Sequence, residues 1–132
     1  MESRHYAPRL ILDLPYLHKN YMATGLGDVL PDVLQTFQEQ ARQNLQSIRQ
    51  ACAASNYSGI AQAAHTLKGA AGSVGALRLA DGAEELEAAA GQADAAAVTR
   101  LSTELDHLTN ATLEAISSIL AQPQNERWPA PF

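Results

Sequence analysis

The sequence predicts an all-α domain, an antiparallel four-helix bundle with an additional short N-terminal helix. Three observations predict it. Apolar residues recur with a period near 3.6 over several long stretches, no stretch alternates as a half-buried strand does, and short segments with capping residues separate the stretches. The 132 residues suit a single domain with one hydrophobic core. Hydrophobic residues make up 46% of the chain but aromatic residues only 5%. The core must therefore be built from Leu, Ile, Val and Ala, a set that suits closely packed helices.

Residues 1–9 read as a polar tail, and residues 10–121 as the domain. In the first helix Leu10, Leu14, Leu17 and Tyr21 recur at helical spacing, with Asp13 as N-cap, Pro15 in the first turn and Gly25 as a stop. The second helix is longer and carries Leu30, Val33, Leu34, Phe37, Ala41, Leu45, Ile48 and Cys52 as one apolar stripe. Pro31 is tolerated there because it falls in the first turn after Asp28. Asn56 caps a third helix that runs to about Val74. The fourth spans roughly Ala76 to Ala90, with Leu79, Ala83 and Leu86 on one face. Asp94 caps the fifth, with Val98, Leu101, Leu105, Leu108, Ala115, Ile116 and Ile119 inward. Residues 122–132 contain three prolines and cannot continue a helix; Trp128 and Phe132 lie in this loosely ordered tail.

Composition excludes several functions. A net charge of −5 argues against a nucleic-acid binder, which needs a basic patch, and fits partners that are proteins. The lone Cys52, flanked by Ala51 and Ala53, excludes an internal disulfide and a multi-cysteine metal site. There is no apolar run of roughly 18 residues and no secretory pattern at the N-terminus, so a soluble, cytoplasmic domain without membrane contact is expected.

The third helix carries the functional signal. On a wheel of about 100° per residue with His65 at zero, Ile60, Ala63, Leu67, Ala70 and Val74 fall between about 140° and 220° and form the core face. Ser58, Ala61, Gln62, Lys68, Gly69 and Gly72 fall within about 60° of His65. His65 thus points away from the core, beside one cation and two glycines. Glycine inside a helix costs roughly 0.5–1 kcal/mol relative to alanine, and this helix otherwise uses alanine freely. Two on the histidine's face suggest that something must approach the backbone closely. The alternative is that they let another helix of the bundle pack tightly. An ammonium near an imidazole favours the neutral, nucleophilic ring, and it can pair with a phosphoryl oxygen once the ring is modified.

The run His65-Thr66-Leu67-Lys68-Gly69-Ala70-Ala71-Gly72-Ser73-Val74-Gly75-Ala76 resembles the H-x-L-K-G-[AS]-[AS]-x-x-[LIV]-G-[AL] signature of histidine-containing phosphotransfer (Hpt) domains. Agreement continues through Leu79, Ala80, Ala83, Leu86 and Glu87, and the helix order over residues 10–121 is similar. The resemblance implies that His65 is the phosphoacceptor, modified on Nε2 by a receiver domain's aspartyl phosphate and discharged to another receiver. Lys68 would help neutralise the phosphoryl group, and Gly69 and Gly72 would clear space for the docking receiver. Ser58, Ala61 and Gln62 would lie on the rim of that surface. Glu87 stands where several relatives carry a side chain that hydrogen-bonds the imidazole. It would accept from Nδ1–H and leave Nε2 free. Gly75 would end the helix rather than touch a partner. The domain would bind no metal or other cofactor; Mg2+ would sit in the receiver. The resemblance leaves open that the chain is the C-terminal Hpt portion of a hybrid sensor kinase.

Rival readings fit less well. The phosphoacceptor helix pair of a histidine kinase places an acidic residue directly after the histidine and a proline a few positions on, where this chain has Thr66 and Ala70. A carboxylate–histidine metal bundle is prompted by Glu104-Leu105-Asp106-His107, but a di-metal site needs two E-x-x-H pairs and two further carboxylates. A helical interaction module that carries no phosphate has no need of His65, Lys68 and the glycines together.

Overall fold

The computed structural model describes residues 11–22, 25 and 29–122. Among them the chain is helical, with no strand. The elements are α1 (Leu14–Leu17, continued by a π-helical turn over His18–Met22), α2 (Leu30–Ala53), α3 (Tyr57–Ser73), α4 (Leu77–Gly91) and α5 (Ala95–Ala121). Consecutive long helices pack on one another and α5 returns to α2, which closes an up-down-up-down bundle around one core.

The turns explain the antiparallel order. Three residues join each pair of long helices. After α2, α3 and α4 the chain makes the same paired closure: Asn56, Ala76 and Asp94 donate N–H to the carbonyls of Ala51, Ala71 and Ala89. Ser55, Gly75 and Ala93 take the left-handed position, at φ +51°, +72° and +52°. Asn56 and Asp94 then cap the next helix through the amides of Gly59 and Ala97, as their side chains predict. Ala76 has no capping side chain. At that turn α1 intervenes: Asp13 N–H donates to Gly75 O at 2.9 Å, and Asp13 Oδ1 accepts from Tyr16 N–H to cap α1 itself. Leu12 and Leu17 are buried in the common core, so α1 plugs this end of the bundle.

Pro31 lies in the first turn of α2 as expected; Val29 occupies the N-cap position and makes no side-chain cap. Asp28, Leu10, Trp128 and Phe132 lie outside the described residues.

The buried set matches the predicted stripes with informative exceptions. Leu108, Ala115 and Ile119, placed inward from the sequence, are half-buried, and so are Val33 and Cys52 in α2. Thr109, Thr112 and Gln38 are buried in their stead. Each is satisfied internally. The two threonine hydroxyls donate to the carbonyls of Leu105 and Leu108 at 2.7 Å, and Gln38 Nε2 donates to Leu113 O and Ser117 Oγ. A polar group buried with its hydrogen bond made loses little, so hydropathy alone misplaces these residues.

In α3 the wheel needs a correction. Ala63 and Ala70, expected in the core, are half-buried, whereas Ala64 and Ala71 are fully buried with Ile60, Leu67 and Val74. The centre of the buried arc is therefore rotated by about 40°. Both flanks of α3 are occupied, by α2 on one side and by α4 on the other, and the helix settles between them.

Candidate functional site

His65 stands at the middle of α3 with its side chain 69% exposed. Its Nδ1 lies 3.0 Å from Glu87 Oε2. Glu87 extends from α4 and is 33% exposed. A carboxylate only accepts, so this contact puts the proton on Nδ1, and in the neutral ring the lone pair is then on Nε2. Rotation of α3 towards α4 is what brings the imidazole within reach of that carboxylate.

One turn on, Lys68 Nζ lies 4.0 Å from Glu84 Oε1. Glu84 and Glu87 are three residues apart in α4, and His65 and Lys68 are three apart in α3. The two antiparallel helices therefore meet in two successive rungs, imidazole to carboxylate and ammonium to carboxylate. The Glu84 contact was not anticipated from the sequence. The i, i+3 spacing of Glu84 and Glu87 on one face of α4 is the signal that could have found it.

Gly69 and Gly72 are both exposed, and a Cβ built on either would meet nothing within 4 Å among the described residues. Among the described residues neither serves close packing against another helix of the bundle. Gly75 behaves differently: a Cβ there would come 3.1 Å from Tyr16 Cδ2 and 3.3 Å from Asp13 Cβ. It closes the turn after α3. Ser58 and Gln62 are exposed on the histidine's face. Ala61, on the same face, is half-buried and packs against the core.

Among the described residues no group of three or more His, Cys, Asp and Glu side chains could hold a metal ion. Glu104 pairs with Arg100 and Asp106 with Arg49, across to α2. The acidic residues of the E-x-x-H segment thus act in ion pairs. No described helix is long and apolar enough to cross a membrane.

A helical bundle that holds an imidazole by a carboxylate at one nitrogen and leaves the rest of the ring exposed defines a class: a helical module that presents a histidine on its surface. Comparison with known families gives the particular one. The Hpt domain family matches residues 32–111, more than half of the chain, and the protein belongs to that family. Hpt domains are carriers in histidine phosphotransfer. The crystal structure of histidine-containing phosphotransfer protein B (HptB) from Pseudomonas aeruginosa PAO1 is similar, with a TM-score of 0.74 over 83% of this chain and 94% of that one. At 23% identity the likeness is one of fold. No curated protein matches the chain.

Proposed function

We propose that the protein is a phosphorelay carrier, taking a phosphoryl group on His65 from a receiver domain's aspartyl phosphate and passing it to the aspartate of another receiver. The observation that carries this reading is the 3.0 Å contact of Glu87 with Nδ1 of an otherwise exposed imidazole. It fixes the tautomer in which Nε2 is the nucleophile.

The chemistry balances without further groups. The Nε2 lone pair forms the N–P bond as the P–O bond breaks, and that electron pair leaves on the receiver's aspartate. The proton stays on Nδ1, where the imidazolium charge is met by the Glu87 carboxylate. Lys68 lies one turn from His65 and offers an ammonium to the phosphoryl oxygens. Gly69 and Gly72 let the receiver's backbone close on the α3 surface, with Gln62 and Ser58 at the rim. The Mg2+ that assists transfer belongs to the receiver, and this domain contributes positioning and electrostatics rather than a metal or nucleotide. The reading places the domain in the cytoplasm, where receivers are found.

The test is phosphoryl transfer from a phosphorylated receiver to the parent chain and to His65→Gln. The parent should gain an acid-labile, alkali-stable phosphate and the variant none. Equal labelling of the two would sink the assignment.

A further inference from the structure

We infer that Glu84 is a positioning residue that sets how strongly the domain retains its phosphoryl group, by competing with that group for Lys68. The inference rests on the phosphocarrier reading of His65 and goes beyond it to the balance of the transfer.

The two rungs between α3 and α4 have different consequences. The His65–Glu87 rung survives phosphorylation, because the new bond forms at Nε2 and the Nδ1 proton stays in place. The Lys68–Glu84 rung need not. In the unphosphorylated protein the ammonium is drawn to Glu84, 4.0 Å away, and both groups are well exposed, at 39% and 63%. A contact of that length between exposed groups is a loose ion pair, screened by water and salt. A phosphoryl group on Nε2 brings nearly two negative charges and three acceptor oxygens to the neighbouring turn. Lys68 then has a better partner on its own helix and leaves Glu84. The free energy of the Lys68–Glu84 pair is lost on phosphorylation and regained on discharge. Glu84 therefore biases the equilibrium towards giving the group up, a useful setting for a carrier that must release what it accepts.

The sign and size follow. Removing the Glu84 charge frees Lys68 beforehand, so the phosphorylated state should gain. An exposed pair is worth enough to change an equilibrium constant by about two- to fivefold at low ionic strength.

The experiment measures how a radiolabelled phosphoryl group partitions at equilibrium between a receiver domain and the full chain. The arms are parent, Glu84→Gln, Lys68→Gln and the double variant, at low and at high salt, with the thermal midpoint of each. The expected result has four parts. Glu84→Gln raises the phosphorylated fraction constant about two- to fivefold at low salt, the rise vanishes at high salt, it vanishes in the Lys68→Gln background, and the midpoint of the unphosphorylated variant falls at low salt by no more than about 4 °C, as loss of the same pair requires. A Glu84→Gln variant that partitions like the parent overturns this inference alone. An equal rise in the Lys68→Gln background also overturns it, since Glu84 would then act on the phosphoryl group by its own charge. A parent chain that no receiver labels overturns this inference and the carrier reading together.

Discussion

Gly69 and Gly72 allow stability and function to be moved in opposite directions by one kind of change. Both sit inside α3, exposed, with no described residue where a Cβ would point. Replacing each by alanine adds a methyl group that touches none of the described residues outside its own helix and reduces the backbone entropy lost on folding. Each substitution should stabilise by about 0.5–1 kcal/mol. The pair together should raise the thermal midpoint by several degrees, at roughly 4 °C per kcal/mol for a domain of this size. The same two methyl groups would stand in the surface that a receiver must cover. An extra methyl in a close-packed contact costs about 1–3 kcal/mol, so kcat/KM for transfer should fall roughly 5- to 150-fold. The assays are chemical denaturation for stability and rapid-quench transfer from a phosphorylated receiver for function. Gly69→Leu extends the series, with helix content kept and transfer slowed further. An alanine variant that is stabilised yet accepts phosphoryl groups at the parent rate would refute the docking argument. One that is destabilised would refute the geometry beneath it.

Glu87→Ala removes the acceptor at Nδ1. Transfer should slow by about three- to tenfold, the worth of one modest hydrogen bond, and nitrogen NMR of the imidazole should show the Nε2–H tautomer gaining; an unchanged tautomer ratio would deny Glu87 its role. Gly75→Ala should destabilise by about 1–3 kcal/mol in denaturant titrations, since a left-handed residue gains a Cβ that presses on Tyr16 and Asp13. At the equivalent position after α4, Ala93→Gly should stabilise by up to about 1 kcal/mol, because Ala93 already holds φ at +52°; a loss of stability there would contradict the turn geometry.

Helix number and order, and the ends at the three turns between the long helices, were legible because each rests on local chemistry: Asn56 and Asp94 as caps, Gly75 as a stop, long aliphatic stripes between them. The site was legible in part, and the missing part has one physical source. Around α3 the residues that decide which way the helix turns are Ala63, Ala64, Ala70 and Ala71, and a pattern of alanines does not distinguish one flank from another. The sequence centred the core face opposite His65; the packed helix buries Ala64 and Ala71 and leaves Ala63 and Ala70 at the margin. That rotation of about 40° carries His65 and Lys68 towards α4. It converts Glu87 from one acidic residue among several into the partner of Nδ1, and Glu84 into the partner of Lys68. Ala64 and Ala71, both fully buried, also take little room where α3 meets the core. The uniform run of small residues that hides the rotation from the sequence is therefore what permits the contacts made by it. A larger residue at Ala64 or Ala71 would push α3 away from the core and loosen both rungs at once, without touching a residue of the phosphotransfer motif that reacts.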